Sequence, residues 1–203
     1  HSLTQRQQDA LALLLILIVA TLLRVWQIDR FPPGLFGDEA VNGLDALDAL
    51  AGRPQVFFPA NFGREGLHIL IQAQFIRWLG ATPLALRLPS ICAGIVAALA
   101  TYWLGRELLA RTRWRGTLTP LIAALLLSTS YWHVHFSRFG IRGVFTPLLA
   151  TLAFAAFWRA ANHTADQRRA WPWFLAAGLF LGLGVHFYTA SRLIPIFLGV
   201  YLA

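Results

Sequence analysis

An acidic pair, Asp38-Glu39, lies just beyond the first long apolar run of the sequence and opens a short helical pattern. Carboxylates at a helix start can satisfy free backbone N–H groups and complement the helix dipole, which makes them stabilising caps. A carboxylate at the same place can instead act as a general base that removes a proton from a nucleophile. Asp38 is the candidate base, and the residues alone leave both explanations open.

The helix that follows has clear stop signals on either side. Residues 31–34 include two prolines and a glycine, which end the preceding helix. We predict that Asp38 is the N-cap and that the helix stops at Gly52. For Asp45 and Asp48 the simplest role is a solvated helix face. Spacings of four and seven put three polar residues on one face: Asp38, Asn42 and Asp45.

A set of arginines falls at the same membrane boundary. One arginine in such a place is usually an interfacial side chain that reaches toward water. Five of them on one face favour a different role, because the planar guanidinium suits phosphate oxygens. We therefore expect a lipid-borne phosphate to bind near this set: Arg64, Arg87, Arg138, Arg142 and Arg192.

Three histidines, His133, His135 and His186, approach the same boundary. No carboxylate partner follows them in a metal-binding pattern, so packing at the interface is the favoured interpretation. No residue is assigned to a metal and no cofactor is certain, although a divalent metal stays open.

The composition defines the class of protein. Apolar residues make up 57% of the 203 residues and charged residues 13%, and the charges separate apolar runs of about the 20 residues that a bilayer requires. The fold class is therefore all-α, a multi-pass transmembrane helix bundle. All 17 basic residues are arginine, and they flank the apolar runs, so membrane orientation explains the net charge of +8 better than nucleic acid does. With the single Cys92, a disulfide within the chain is excluded.

The apolar runs give five complete spans and a truncated sixth, so we expect an N-terminal portion of a longer protein. The first run lacks a cleavage site and is predicted to be an uncleaved span, with Arg24 reaching to the interface. Two arginine-rich connections, 106–115 and 159–169, are expected in the cytoplasm. The long loop 29–87 is then outside, and the predicted spans are 10–28, 88–105, 116–136, 143–158, 170–191 and 193–203.

Residues 67–79 are too short for a span and carry an apolar stripe at helical spacing. A crossing here would reverse every later loop and put both arginine-rich connections outside. We therefore predict a second interfacial helix in the outer loop. Its apolar stripe is Leu67, Leu70, Ile71, Phe75, Trp78 and Leu79. Because Ile69 and Ile76 lie off this stripe, we expect partial burial of the helix against the spans.

Five short motifs carry a family resemblance over nearly the whole chain. The motifs are Gly37-Asp38-Glu39-Ala40, Arg64-Glu65-Gly66-Leu67, Leu86-Arg87-Leu88-Pro89-Ser90, Phe136-Ser137-Arg138-Phe139-Gly140 and Tyr188-Thr189-Ala190-Ser191-Arg192. Together they resemble the N-terminal half of an integral-membrane glycosyltransferase of the GT-C superfamily, similar to the protein mannosyltransferase and aminoarabinose transferase group (family 39 type).

The resemblance implies transfer of a sugar from a polyprenyl-phosphate donor to an acceptor at the outer face of the cell membrane, with inversion. Asp38 matches the catalytic acidic residue, while Glu39 and Glu65 are expected as orienting or secondary acidic groups. The substrate-binding residues it suggests are Arg64, Glu65, Arg87, Arg138 and Arg192. Two departures are an Arg-Glu-Gly-Leu sequence in place of Lys-Pro-Pro-Leu and Arg142 in place of an aspartate, which weakens the case for a metal.

Two other classes compete with an enzyme. A transporter or flippase for lipid-linked or small solutes would carry ionisable groups near the bilayer midplane, whereas the polar groups here collect at one surface. A membrane scaffold would tolerate loss of Asp38 with little more than the cost of a cap. The sequence leaves the sugar, acceptor and oligomeric state unassigned, and we expect no turnover from residues 1–203 alone.

Overall fold

The computed structural model describes the backbone of residues 3–202 and the side chains of residues 3–200. Within that part of the chain the fold is all-α apart from one small hairpin, which confirms the predicted class. Two 3-10 helices, Arg142–Val144 and Thr189–Leu193, precede the seventh and ninth α-helices. The elements are α1 (Gln5–Val25), α2 (Gly37–Leu50), β1 (Phe57–Phe58), β2 (Arg64–Glu65), α3 (Gly66–Leu79), α4 (Pro83–Leu109), α5 (Leu118–Thr129), α6 (Tyr131–Arg138), α7 (Phe145–Asn162), α8 (Gln167–Val185) and α9 (Ile194–Leu202).

The long helix α4 is the centre of the bundle and packs against α1, α3, α5, α6 and α7. Small side chains such as Ala93 and Ala97 line its buried surface and allow the neighbouring backbones to approach closely. At Gly94 the approach is closest, since a Cβ there would lie 2.2 Å from Oγ of Ser137 on α6. The position of α6 therefore depends on a glycine in α4.

The predicted spans correspond to helices at most positions. The runs 10–28, 88–105, 143–158, 170–191 and 193–202 fall on α1, α4, α7, α8 and α9 with shifted ends, and residue 203 lies outside the described residues. Among the described helices, three segments are long and apolar enough to cross a membrane: Gln5–Val25, Pro83–Leu109 and Arg142–Asn162.

The predicted span 116–136 is wrong as a single helix. The chain leaves helical geometry at Ser130 (ψ 122°), which separates α5 from α6. Three hydroxyl residues meet there, and the side chains of Ser128 and Thr129 donate to carbonyls one turn back at 2.7 and 2.9 Å. Such bonds bend helices, so the run is divided into two short helices.

Arg24 also departs from its prediction. Its side chain is fully buried instead of reaching to the interface. Nη1 donates to the carbonyl of Ser128 at 3.3 Å, and Nη2 lies 2.7 Å from Nδ1 of His133, which accepts the bond. Arg24 thus joins α1 to the α5–α6 break.

We call the end of the bundle that carries α2, α3 and the hairpin the loop end, and the opposite end, with the arginine-rich connections, the basic end. The two predicted helices of the outer loop are present at the loop end. The predicted N-cap is two residues off, because Phe36 caps α2 and Asp38 is the second helical residue. The carboxylate that serves the cap is Glu39, which accepts from the Phe36 N–H at 2.9 Å.

The predicted partial burial of α3 against the bundle is confirmed, because Ile69 and Ile76, which lie off the apolar stripe, are 1% and 6% exposed. The burial of the polar residues beside them was not predicted. Trp78 is 70% exposed, whereas His68 and Gln72, which were expected to interrupt the apolar stripe, are fully buried. Their side chains point at backbone carbonyl groups of α4 and of the segment after α6, and an apolar side chain there would leave those carbonyls unpaired. The face that packs on the bundle is His68, Ile69, Gln72, Ala73 and Ile76.

Candidate functional site

Glu39 and Arg87 form a buried ion pair in the middle of the loop end. Oε1 of Glu39 lies 2.9 Å from Nε of Arg87, and the two side chains are 0% and 2% exposed. The backbone N–H groups of Phe36 and Gly140 also donate to this carboxylate, at 2.9 and 3.0 Å. A buried charge is tolerated only with such partners. Glu39 therefore connects α2, α4 and the segment after α6, which is an orienting position.

Arg87 uses all of its hydrogen-bond donors inside the protein. An arginine has five N–H donors. Two of its bonds go to Glu39, and the others go to the carbonyls of Ile28 (3.2 Å), Pro32 (3.1 Å) and Gly34. The side chain thereby fixes the connection between α1 and α2 and keeps no free N–H for a phosphate.

Arg138, the last residue of α6, has a similar role. Its guanidinium donates to four carbonyls at the end of α1 and beyond, where helix carbonyls lack partners. Burial lowers the pKa of Arg138, and the nearby charge of Arg87 lowers it further. The carbonyls belong to Leu23, Trp26, Gln27 and Phe31.

Arg64 is 1% exposed and binds α2. It donates to the side chains of Asn42 and Asp45, and its Nε donates to the carbonyl of Ala60 at 3.2 Å. The expected solvated role of Asp45 is therefore wrong, since its side chain is 17% exposed and paired. The hairpin is fixed to α2 by this contact.

Glu65 brings both 3-10 helices to the hairpin. Its Oε2 lies 3.4 Å from Nε of Arg142, and its Oε1 accepts from the Thr189 hydroxyl at 2.5 Å. The Arg142 guanidinium also lies 5.4 Å from the ring centre of Tyr188. Unlike Arg64 and Arg87, Arg142 keeps a side chain that is 21% exposed.

The backbone of Gly140 is the acceptor on which α3 converges. Its carbonyl lies 3.0 Å from Nε2 of His68 and accepts from Gln72 at 3.2 Å. A Cβ at this position would lie 2.8 Å from the Leu86 carbonyl oxygen. Burial lowers the pKa of His68 to about 4, Arg142 lowers it further, and the bond to Gly140 opposes both. His68 is therefore neutral at pH 7 with its proton on Nε2.

Asp38 differs from every carboxylate described above. It is exposed, and its Oδ1 accepts one hydrogen bond from Nδ2 of Asn61 at 2.7 Å. No arginine of the described residues pairs with it. Asn61 lies at the hairpin tip with φ 50°, and Phe62 follows with φ 66°. The left-handed conformation costs about 1–2 kcal/mol per residue, so the tip holds Asn61 in a constrained position.

Arg192 is exposed in the second 3-10 helix and makes no hydrogen bond or ion pair within the part of the chain that is described. The three histidines do not converge. His133 contacts Arg24, His135 stacks on Tyr131 with ring centres 5.4 Å apart, and His186 is exposed. The described residues include no group of three or more His, Cys, Asp or Glu side chains that could hold a metal ion.

Sequence reasoning missed two contributors to this region, Asn61 and His68. The Asn-Phe-Gly order at 61–63 is a turn signal, because Asn and Gly tolerate positive φ, and it could have located the tip beside Asp38. The pair His68 and Gln72, four residues apart, could have indicated a polar helix face. Neither pattern identifies the partner residue across the fold.

A model of the family described as dolichyl-phosphate-mannose-protein mannosyltransferase matches residues 71–201, more than half of the chain. No curated protein and no solved structure matches the chain. The matched region contains Arg87, Arg138 and Arg192. Asp38 and Arg64 precede the matched region, so the match gives no information on these two residues.

Proposed function

Because the chain belongs to the dolichyl-phosphate-mannose-protein mannosyltransferase family, we propose that it transfers a sugar from a polyprenyl-phosphate donor to an acceptor hydroxyl at the outer membrane face, with inversion. Membership makes it a membrane glycosyltransferase that uses a polyprenyl-phosphate sugar. The observation that supports Asp38 as the base is that its side chain is exposed and forms no ion pair among the described residues. Of the four carboxylates Asp38, Glu39, Asp45 and Glu65, the last three are paired with arginine.

Asp38 takes the proton of the acceptor hydroxyl as its oxygen attacks the anomeric carbon of the donor sugar. The bond between that carbon and the phosphate oxygen breaks, and the electron pair leaves with the polyprenyl phosphate. One displacement inverts the anomeric centre. Proton removal by a positioned carboxylate contributes about 10²- to 10⁴-fold to the rate. The leaving group is already an anion and needs charge stabilisation instead of a proton.

The phosphate contact is assigned by the availability of N–H groups. Arg192 is exposed and unpaired within the described residues, and the Arg142 side chain is 21% exposed although its Nε faces Glu65. A charge-assisted contact between guanidinium and phosphate is strong and directional. We assign Arg192 as the main contact with the donor phosphate and Arg142 as its neighbour.

The other three arginines of the original set act differently. Arg64, Arg87 and Arg138 donate to protein groups, so their proposed role is to position Asp38 and its surroundings. Arg87 and Arg138 hold the connection between α1 and α2, and Arg64 holds the hairpin that carries Asn61. Their loss should then lower the amount of folded protein as well as the activity.

The test is sugar transfer from radiolabelled polyprenyl-phosphate sugars by the protein in membranes, with Asp38→Asn compared at matched folded amount. The control is Asp48→Asn, the same chemical change on the same helix at a side chain that is 55% exposed and pairs with Arg53. Asp38→Asn should lose at least about 10²-fold in rate, while Asp48→Asn keeps it. Equal transfer by both variants would reduce Asp38 to a helix-end carboxylate.

A further inference from the structure

Two cavities meet at the basic end of the bundle, where the connection between α4 and α5 lies beside the start of α1. The larger has a volume of about 580 Å³ and the smaller about 390 Å³. Both are lined by Arg115 and Gly116, so they adjoin at this point of the connection. We refer to them as the apolar lobe and the polar lobe.

The apolar lobe lies between α1 and α5. Its walls include Leu11 and Leu15 of α1 and Leu118 and Leu121 of α5, with Trp114 in the connection. Leu11, Leu15 and Leu118 are 53%, 43% and 68% exposed. The helix α1 is long enough to span a bilayer, and these leucines are exposed along it and along α5. Such an aliphatic surface suits the acyl chain of a lipid.

The polar lobe carries the charge. Gln5, Arg106 and Arg115 line it, and Arg106 is held by Asp9 at 3.3 Å. The Arg115 side chain makes no hydrogen bond or ion pair among the described residues. Arg113, which stacks on Trp114 at 5.1 Å, lines the apolar lobe near the same point. Two guanidinium groups without a carboxylate partner therefore stand where the two lobes meet.

We propose that this double cavity binds an anionic phospholipid of the surrounding membrane, with its phosphate beside Arg113 and Arg115 and an acyl chain in the apolar lobe. Unpaired cationic side chains complement the phosphate, and basic pockets between membrane helices are suited to lipid headgroups. A soluble phosphate would use the polar lobe alone and would leave the leucine-lined lobe unexplained.

This site is separate from the proposed sugar-transfer site. Gln5 is the first residue of α1 and Asp38 follows its C-terminal end, and the 21 residues of α1 span about 30 Å at the helical rise. The lipid is therefore a resident ligand of the bundle, distinct from the polyprenyl-phosphate donor. Its headgroup would bind Arg113 and Arg115 of the connection between α4 and α5. Gln5 already joins α1 to this connection, because its amide donates to the Thr117 hydroxyl at 2.6 Å.

The experiment is lipid binding to the purified protein in detergent, measured by native mass spectrometry with phosphatidylglycerol and phosphatidylcholine of equal acyl length. We expect phosphatidylglycerol to bind more tightly, and Arg115→Gln to weaken its binding roughly tenfold, as the loss of a charge-assisted contact requires. Arg168→Gln is the matched control, because Arg168 is an exposed arginine of the other connection at the same end.

Leu118→Gln tests the apolar lobe through a side chain that is 68% exposed, and it should weaken the binding of both lipids. Asp38→Asn should bind phosphatidylglycerol as the wild type does, whatever happens to sugar transfer. Equal affinity for the two lipids, or equal losses in Arg115→Gln and Arg168→Gln, would overturn the proposal. Free glycerol phosphate that displaces the lipid at equal concentration would also overturn it.

Discussion

Adjacent residues at the start of α2 belong to opposite environments. Glu39 is completely buried and receives hydrogen bonds from Arg87 and from two backbone N–H groups, whereas Asp38 is exposed with one bond from Asn61. A step of one residue turns a helix by about 100°, so one carboxylate enters the bundle and the other leaves it. The buried group is committed to structure, and the exposed one is available for chemistry.

The same division separates the arginines of the loop end. Arg87 and Arg64 are 2% and 1% exposed and hold loops and helices together, while Arg192 is open to solvent. The sign of the charge alone does not distinguish a catalytic from a structural residue here. The distinction is the number of hydrogen bonds and ion pairs that the side chain makes within the protein.

The largest effect is expected when the buried pair is broken. Glu39→Gln leaves Arg87 buried without a counter-charge, which should lower the free energy of unfolding by about 3–5 kcal/mol. Thermal or denaturant unfolding in detergent measures it. Asp38→Asn should change the same quantity by less than about 1 kcal/mol, the size of a helix-dipole contribution. If both variants lost the same free energy of unfolding, Glu39 would be no more important for stability than Asp38.

Breaking the pair from the other side gives a check. Glu39→Gln combined with Arg87→Leu removes both charges, and this double variant should be more stable than Glu39→Gln alone. A double variant that is less stable would mean that the carbonyl contacts of Arg87 outweigh its pairing with Glu39.

A second large effect comes from pH. The pKa of His68 is about 4 in the folded state, below the value of about 6.5 for a free histidine. The unfolded state therefore binds more protons between these values, so the stabilisation is complete above about pH 6.5 and is lost as pH falls toward 4. The loss should approach about 3 kcal/mol. Unfolding measured from pH 7.5 to 4.5 tests it.

His68→Gln is the control for that pH dependence. Glutamine can still donate to the carbonyl of Gly140 but does not titrate in this range. The variant should lose much of the fall in stability below pH 6.5. An unchanged pH profile would assign the effect to another group.

The approximate positions of most helices could be predicted from the sequence, but the side-chain contacts between distant residues could not. Prolines and glycines bracket α2, and apolar runs mark the long helices, because local chemistry fixes where a helix starts and stops. Glu39 and Arg87 are 48 residues apart in sequence, and nothing in either neighbourhood specifies the other. The five arginines of the predicted set all lie at the loop end, but which of them are paired inside the protein depends on tertiary contacts.

Two features that the sequence analysis did not predict have a common physical cause. The break at Ser130 and the buried face of α3 both arise from polar groups that satisfy backbone carbonyls. Hydropathy patterns count such groups only as interruptions, although a buried carbonyl needs a donor. Ser128-Thr129-Ser130 and the His68 and Gln72 pair were visible in the sequence, and their meaning depended on the carbonyls that they face.

A smaller effect is expected at the free arginine. Arg192→Gln should raise the KM for the polyprenyl-phosphate donor roughly tenfold through loss of a charge-assisted contact, with little change in stability. Initial rates over a range of donor concentrations measure it. Arg168→Gln, an exposed change at the basic end, should leave the KM for the donor unaltered. A donor KM that is the same in both variants would assign the phosphate contact elsewhere.

The smallest effect concerns the hydrogen bond that Asp38 does receive. Asn61→Ala removes the donor 2.7 Å from Oδ1 and should lower kcat roughly three- to tenfold, because an exposed bond to a charged group contributes modestly. The KM for the polyprenyl-phosphate donor should stay constant, since Asn61 orients the base and does not contact the phosphate. Gln55→Ala, an exposed change in the same loop, is the matched control.

Asn61→Gly separates orientation from loop conformation. Glycine adopts the φ of 50° found at this position without strain but has no side chain to hold Asp38. If the hydrogen bond matters, Asn61→Gly loses kcat as Asn61→Ala does, although its hairpin tip is relaxed. If Asn61→Gly keeps the wild-type kcat, Asn61 serves only the conformation of the turn. The hydrogen bond from Asn61 to Asp38 then has no part in orienting the base.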